Sequence, residues 1–477
     1  MSNTISIGLS ALAAAQTGIA TAGKNIANAA VDGYSRQKIV QGQEAGQGEG
    51  TTVTDIQRVF DSFLSAQQNA AQSSSSKLQV QYNQVQMIND YLADSSVGIA
   101  PALQDFFNSL QDISVAPKDI TARQSFLNSA SGLVASFNDA QSLLESISVN
   151  IDKQIANSTQ SINTIASQVA KINATILVAQ AQGGTTSIST LNDLYDKRDL
   201  LITQLSKITN VKVVNNNNIY DVFVGNSQSL VNSTNINTIA VVQTPGEASP
   251  YKIQFTVNKQ VVELSSSDMG GGELQGYIDF KADTLTSIQD KIGQIAYSLA
   301  DKINNQNALG LTTLTDKNGN LVKGTDIFDL SNANLDLTSN APYKNVVSNI
   351  KLNKSINVDS IAAAALNSGN SDNSNILEMV ALQSKKMLAT SDGASVSYTE
   401  AYAQIVSLIG SKTRELSLTN ASADTILKHA QTALQNDSGV NLDEEAADLI
   451  RYQQAYQAAG KLIEISKTMF DTLMQLS

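Results

Sequence analysis

Apolar side chains recur with a helical period along the first thirty residues. From Ile5 to Ala30 they follow alternate steps of four and three residues, which place them on one face of an α-helix. The members of this ladder are Ile5, Leu9, Leu12, Gln16, Ile19, Gly23, Ile26 and Ala30. The pattern predicts one amphipathic helix, and the Asp32-Gly33 pair predicts the turn that ends it.

The C-terminal segment repeats this pattern. Apolar or small residues lie seven residues apart, with further members three residues after some of them: Leu442, Leu449, Tyr452, Tyr456, Ala459, Ile463, Phe470 and Leu473. Both termini are therefore predicted to be helices with heptad stripes. Because chain termini usually lie close together in a compact body, we expect the two helices to run side by side and antiparallel, over roughly 40 and 50 Å.

Helical periodicity also dominates the region from Phe60 to Ile208. Its longest run, from Ile120 to Gln182, contains no proline and predicts one long helix of a bundle or coiled-coil shaft. Another helix is predicted to begin near Pro101, because proline suits a first helical turn. The serine run 73–76 is predicted to break the helix that begins at Phe60.

The apolar period changes to two at Val211, which predicts a β-hairpin that turns at Asn215 to Asn218. The sequence as a whole predicts a multidomain α+β fold, with heptad helices at both termini in an antiparallel coiled-coil-like region, a helix-bundle domain and β-rich outer domains. The predicted divisions are an N-terminal helix and extended connector (1–58), the first part of the helical bundle (59–210), a small β-rich domain (211–272), a helix returning to the bundle (273–310), a second β-rich segment (311–375), helices returning to the bundle (376–438) and a C-terminal helix (439–477).

The composition argues against several classes of function. Lys and Arg number 31 against 43 Asp and Glu, a net charge of −12, which repels nucleic acid. The chain has no Cys and one His, so disulfides, thiolate metal sites and sites with two imidazole ligands are excluded. We therefore expect no cofactor, no metal and no enzymatic activity.

The N-terminal ladder does not have the features of a targeting segment. It lacks a basic cluster before its apolar part, which argues against a cleavable secretory signal. No run of apolar residues is long enough for a membrane-spanning helix, so we expect no membrane insertion. A protein of this kind would leave the cell by a route that does not read a cleaved N-terminal signal.

Candidate catalytic and metal-ligating residues are few. Asp316, Asn318 and Asn320 have the opening spacing of a calcium loop, but Leu321 stands where that loop needs glycine, so a simple turn is favoured. His429 lies among apolar helical positions with no nucleophile indicated beside it, and a surface or bundle histidine is favoured over a catalytic one.

Two terminal strings resemble the bacterial flagellar axial proteins, the family of rod, hook and hook-associated proteins. The segment 25–37 matches the family signature, an N-x-A-N stretch followed by a G-Y-S-R turn, through Asn25, Asn28, Gly33, Tyr34 and Arg36. Val31-Asp32 stands where the family usually has Thr-Pro. The segment 439–458 resembles the C-terminal helix of the same family.

Two interior segments, Asn192 to Leu201 and Gly271 to Phe280, are similar to segments of the FlgK family of flagellar hook-associated proteins. Ala308 to Leu311 departs from that family, which often has a His and an Asp-Gly there. The resemblance implies a structural protein at the junction between hook and filament, which is exported by the flagellar type III route and located outside the cell.

The resemblance also implies partners and assembly residues. The partners would be further copies of the chain in a ring or helical layer, the hook protein, a second hook-associated protein and an export chaperone at the C-terminal helix. The N-terminal assembly residues would be Ile5, Leu9, Leu12, Ile19 and Ile26, and the C-terminal assembly and chaperone residues would be Leu442, Leu449, Tyr452, Tyr456, Ile463, Phe470 and Leu473. Alternatives left open are another axial protein, namely the second junction protein or a hook protein, and a secreted hydrolase or adhesin built on axial-type ends.

Overall fold

The computed structural model describes residues 2–43, 50–94, 98–182, 185–225, 228–243, 251–257, 260–337, 339–369, 371–389 and 393–476. Long helices dominate, and small antiparallel sheets lie between them, which confirms the predicted α+β class. The helices are α1 (Ser2–Asn28), α2 (Ser62–Leu92), α3 (Ile99–Val115), α4 (Ile120–Gln182), α5 (Thr185–Ile208), α6 (Gly272–Asp279), α7 (Thr286–Leu309), α8 (Ser374–Ala381), α9 (Tyr398–Ser438) and α10 (Leu442–Leu476). A π-helical stretch, Phe280–Leu285, joins α6 to α7.

The strands form short antiparallel sheets. They are β1 (Gln37–Gln43), β2 (Thr51–Arg58), β3 (Val211–Asn216), β4 (Ile219–Val224), β5 (Gln228–Asn232), β6 (Asn235–Ile236), β7 (Thr238–Gln243), β8 (Tyr251–Val257), β9 (Gln260–Leu264), β10 (Leu311–Thr315), β11 (Leu321–Lys323), β12 (Phe328–Asp329), β13 (Lys351–Leu352), β14 (Leu388–Ala389) and β15 (Ser395–Val396). The larger sheets have the orders β3-β4-β5-β6 and β7-β8-β9, and the others are two-stranded antiparallel pairs. Asn217 and Asn218 have positive φ between β3 and β4, as a tight hairpin turn requires.

The helix α4 is the spine of the molecule. Its 63 residues extend over roughly 95 Å, with the bounds that the periodicity predicts. Buried aromatic rings pack where α3, α4 and the β12 region meet, with Phe106 centred 5.3 Å from Phe126 and 6.0 Å from Phe328. A continuous core connects this cluster to α7, α9 and the sheets along α4.

Two predictions about the middle of the chain are wrong in detail. The serine run does not break α2, which is continuous, and Ser73, Ser75 and Ser76 are buried in it. Small residues are needed there because the backbone turn at Gly271 lies against Ser73: a Cβ on that glycine would lie 2.5 Å from the serine hydroxyl. The segment 311–375 holds the short strands β10 to β13, and most of it is irregular backbone.

The terminal helices α1 and α10 pack against each other along their length, as predicted. Gly8 lies opposite Ile463, and Gly18 lies opposite Tyr452, so the helices are antiparallel. The packed face of α1 is not the apolar ladder, however. Its buried residues are small or polar: Gly8, Ala14, Ala15, Gly18, Thr21, Ala22 and Asn25.

One helix among the described residues, over Thr4–Asn28 of α1, is long and apolar enough to cross a membrane by length and composition alone. The core helix of a soluble protein and an N-terminal signal sequence meet the same criterion.

The close approach at Gly18 generates a test of the helix pair. A Cβ at Gly18 would lie 2.6 Å from the Tyr452 ring, so Gly18→Ala should separate α10 from α1 at a cost of about 1–3 kcal/mol. Amide hydrogen exchange across α10 should therefore accelerate. Gly23→Ala is the matched control, since nothing lies within 4 Å of its Cβ position. Equal protection of α10 in both variants would contradict this packing.

Candidate functional site

The segment that follows α1 folds back on the end of that helix through Asn25. This buried amide accepts hydrogen bonds from the Gln37 backbone N–H (3.0 Å) and the Tyr34 hydroxyl (2.8 Å), and it donates one to the Gln37 carbonyl (2.8 Å). Burial raises the pKa of Tyr34, and the nearby carboxylates of Asp196, Asp193 and Glu445 raise it further. The tyrosine hydroxyl therefore stays protonated and serves as a donor.

The turn between the end of α1 and Tyr34 needs glycine. Gly33 has a φ of +78°, and a Cβ there would lie 3.1 Å from Leu200 of α5. Asn28 takes no part in the contact around Asn25, because its amide donates to the Lys24 carbonyl within α1.

Arg36 joins this segment to the start of α10. Its guanidinium Nη1 lies 2.6 Å from Glu444 Oε2, and its backbone N–H donates to the Ser438 carbonyl (2.8 Å). The neighbouring Glu445 is 5% exposed and interacts with Asn25 of α1. Burial raises the pKa of Glu445, while Asn25 and Arg36 oppose that shift. The two glutamates thus position α10 through specific partners, beyond the helix-dipole role that their place in the first turn suggests.

A buried ion cluster, which we call the Arg58 cluster, lies beside this contact and consists of Arg58, Asp196 and Asp199. Arg58 Nη1 lies 2.9 Å from Asp196 Oδ1 and 2.6 Å from Asp199 Oδ2. Burial lowers the pKa of Arg58, but the two carboxylates outweigh it and the net shift is upward. The guanidinium also lies 4.2 Å from the centre of the Phe60 ring. Asp196 in addition accepts from the Ser35 backbone N–H (3.2 Å).

Other residues of α5 near the Arg58 cluster bind two further parts of the molecule, the terminal region and the sheet that contains β3 and β4. Toward the termini, Asn192 donates to the Ile56 carbonyl (2.7 Å), and Asp193 pairs with Lys24 (2.7 Å). Toward the outer sheets, the buried Arg198 donates to the Asn218 carbonyl (2.6 Å) and stacks 3.4 Å from the centre of the Tyr220 ring. The helix α5 therefore fixes the terminal region to the rest of the molecule.

The signature residues predicted from the sequence thus separate into groups. Asn25 and Tyr34 meet directly, Arg36 reaches α10, Gly33 makes the turn, and Asn28 remains local. Sequence reasoning missed Arg58 and the role of Asp196. A sequence signal was available in the run Asp196-Lys197-Arg198-Asp199, in which two acidic residues flank two basic ones on a helix that must pack.

Some of the predicted assembly residues lie on the face that the helix pair leaves uncovered, whereas Tyr452 and Ile463 pack against Gly18 and Gly8 of α1. On α1, Leu9 and Ile26 are exposed by 55% and 37%, and Ile5, Leu12 and Ile19 are half-buried. On α10, Leu442, Tyr456 and Phe470 are exposed, whereas Leu449, Tyr452 and Ile463 are half-buried. The side chain of Leu473 lies outside the described residues. Further exposed apolar residues of α10 that the heptad pattern missed are Ile450, Ile465, Met469 and Met474.

A cleft of about 1120 Å³ lies between α4, the π-helical stretch, α7 and α9. Burial raises the pKa of Asp283 and of Asp290 in its lining. Asp290 accepts from the Tyr343 backbone N–H (2.7 Å), and the buried Lys281 pairs with Asp152. Among the described residues, no group of three or more His, Asp or Glu is placed to hold a metal ion. His429 is exposed on α9.

Comparison with known proteins identifies relatives of this chain. The family model described as flagellar hook-associated protein FlgK helical domain matches residues 85–328, which is more than half of the chain. The model for the flagellar basal body rod FlgEFG protein C-terminal matches residues 430–476, the end of α9 and all of α10.

Relatives cover the whole length. Flagellar hook-associated protein 1 of Salmonella typhimurium is 29% identical over 100% of both chains, and that of Bacillus subtilis is 24% identical over 97% of this chain and 96% of its own. The structure of the flagellar hook junction protein FlgK from Burkholderia pseudomallei has a TM-score of 0.67 at 19% identity, covering 78% of this chain and 99% of that one. It shows the same fold.

The Arg58 cluster generates a test of stability. Arg58→Met leaves two buried carboxylates without their cation and should lower the free energy of unfolding by about 3–5 kcal/mol at neutral pH. Burial then raises the pKa of Asp196 with only the hydrogen bonds from Ser35 opposing it, so the folded state holds a proton that the unfolded state releases above a pH of about 4. The loss in free energy of unfolding, relative to the parent chain, should therefore be smaller at pH 4.5 than at pH 7.5. Denaturant unfolding at the two pH values measures it. Arg451→Met, at an exposed pair, is the control; equal losses would contradict the role of the cluster.

Proposed function

Because the chain belongs to the FlgK family of flagellar hook-associated proteins, we propose that it forms the structural layer at the junction between hook and filament. The observation that carries this proposal is the division of the terminal helices into two faces. Small residues of α1 pack against Tyr452 and Ile463 of α10, and other large apolar side chains such as Leu9 and Phe470 remain exposed. An isolated soluble protein gains nothing from that arrangement, whereas copies packed side by side would bury these side chains.

The proposed role is structural and not catalytic. Relatives that match all or nearly all of the chain are named flagellar hook-associated protein 1. Some charged groups of the large cleft have partners in the fold: Lys281 pairs with Asp152, and Asp290 accepts from a backbone N–H. These contacts explain the buried charges as parts of the structure. They favour a structural role over the hydrolase alternative.

The proposed location is the extracellular junction, reached by flagellar type III export. The partners we propose are further copies of the chain in a ring or helical layer, hook protein on one side and the second hook-associated protein on the other. The uncovered face formed by α1 and α10 is where we place the contacts between copies. The exposed C-terminal half of α10 is where we place an export chaperone, before assembly covers it.

Deletion and complementation test the junction role. Cells without this chain should assemble hooks and lack filaments in electron microscopy, and normal filaments would overturn the proposal. Complementation with Leu9→Asp should fail to restore filaments, because each large aliphatic side chain buried between copies contributes about 1.5–3 kcal/mol. The purified variant should melt like the parent chain, since Leu9 is exposed. Leu337→Asp is the control, because that leucine is 81% exposed outside the terminal helices, and it should restore filaments.

The chaperone contact has a separate test. Phe470 and Met469 are exposed by 49% and 58% near the end of α10, as an amphipathic helix recognised in a groove would be. Phe470→Asp should weaken binding of the cognate chaperone at least tenfold in calorimetric titration. Leu442→Asp, at the opposite end of α10, is the matched control and should bind normally. Unchanged affinity for Phe470→Asp would mean that the chaperone binds elsewhere.

A further inference from the structure

Several asparagines on helices bind the backbone of a strand in the way that a neighbouring strand would. Asn163 of α4 accepts from the Ile239 N–H (2.9 Å) and donates to the Ile239 carbonyl (2.9 Å). Asn304 of α7 accepts from the Phe328 N–H (2.9 Å) and donates to the Phe328 carbonyl (2.7 Å). Because a side-chain amide carries the same donor and acceptor as a peptide group, each pair reproduces the two-way bond of an antiparallel ladder. We call these residues clamp asparagines, and Asn25 joins them through its bonds with Gln37.

Each clamp asparagine fixes the register of a strand on a helix. The clamped residues Gln37, Ile239 and Phe328 lie in β1, β7 and β12, and all of them are buried. A strand that slipped by one residue would direct its backbone groups away from the amide, and both bonds would be lost. Lost hydrogen bonds are costly in buried surroundings, where water cannot replace them. Apolar packing, by contrast, has no preferred direction. The amides therefore determine which strand residue lies at which point of the helix.

Asn25 holds three segments, one more than a strand and its helix. Besides its two bonds with Gln37 of β1, it accepts from the Tyr34 hydroxyl (2.8 Å). Its amide also donates to the buried Glu445 in the first turn of α10, which opposes the rise that burial causes in the pKa of this carboxyl. An amide side chain has two donor and two acceptor positions, and Asn25 uses all four. The end of α1, the hairpin β1–β2 and the start of α10 therefore meet at one side chain.

The place of Asn25 along α1 gives a small displacement a large effect. Nearly all of the 27 residues of α1 lie on one side of it, so the helix extends roughly 40 Å from this clamp. A rotation of about 10° at the clamp would move the far end of α1 by roughly 7 Å, whereas side chains are in contact only within about 4 Å. α10 would move with α1, because Gly8 and Gly18 lie against it.

We propose that Asn25 is a positioning residue, which sets the direction in which α1 and α10 leave the rest of the molecule and so lets copies join the layer. This inference rests on the proposed function. Copies in a ring or helical layer can bury Leu9 and Phe470 only if every copy presents them at the same angle. The hairpin that carries Gln37 is held on α5 through Arg58, so the clamp fixes the helix pair relative to a rigid part of the fold.

Reversing the polarity of the clamp tests this role in the deletion strain. Asn25→Asp keeps the shape of the side chain but sets an acceptor against Glu445 and against the Gln37 carbonyl, so the number of filaments per hook should fall by about tenfold or more. Adding Glu445→Gln supplies a donor to the new carboxylate and should recover most of that loss. Asn28→Asp is the matched control, because that amide donates to the Lys24 carbonyl within α1, and it should restore filaments fully. Normal filaments with Asn25→Asp, or no gain from the added Glu445→Gln, would overturn the proposal.

Thermal unfolding of the purified full chain separates positioning from general stability. Asn304→Asp should lower the melting temperature by several degrees, because it breaks a clamp within the continuous core. Asn25→Asp should leave the melting temperature nearly unchanged and accelerate amide exchange in β1 and at the start of α10, since the helix pair can detach locally. An equal fall in both variants would overturn the positioning role.

The deletion strain judges the junction role separately. Filaments present in that strain would refute the junction role itself. Filaments missing there, but present after complementation with Asn25→Asp, would refute only the role of Asn25.

Discussion

A buried charge needs a partner, and that requirement organises the molecule around Arg58. The cation lies at the end of β2, and its carboxylates lie on α5, so the hairpin after α1 can be placed only against that helix. Arg198, which lies between these two carboxylates in the sequence, donates through Nη1 to the Asn218 carbonyl in the turn between β3 and β4. Neighbouring residues of α5 therefore fix the hairpin after α1 and the turn between β3 and β4 relative to each other. A shift of α5 would leave charges unpaired on both sides.

The terminal helices show a division of chemical roles between faces. Glycine and alanine on α1 let the axis of α10 approach closely, as Gly8 against Ile463 shows. This packing buries few large side chains, so the pair contributes little to the stability of one copy. The polar contacts of Arg36 and Glu445 fix its position instead. Exposed aliphatic residues such as Leu9 and Ile465 are thereby left available for the contacts between copies that we propose.

Much of the fold could be predicted from the sequence, because long, proline-free periodic runs determine long helices. Both ends of α4 and the asparagine turn between β3 and β4 follow from local patterns. The features that the sequence did not predict all depend on contacts between residues that are distant in the chain. Ser73 is compatible with α2 because a glycine turn distant in sequence packs on it, and Arg58 finds Asp196 at a separation of 138 residues. The heptad ladder of α1 was visible, but which face packs inside the chain depends on α10.

The Arg36–Glu444 pair joins residues 408 positions apart along the chain. Contacts of such separation carry the largest loop-closure entropy and form late, after the local helical contacts along α4 have been made. A chain exported unfolded, as we propose, should therefore fold its central domains first and form the contacts between its terminal segments last. The uncovered face of α1 and α10 would then form only on molecules whose central domains are already folded. The order of folding would therefore prevent incompletely folded copies from entering the proposed layer.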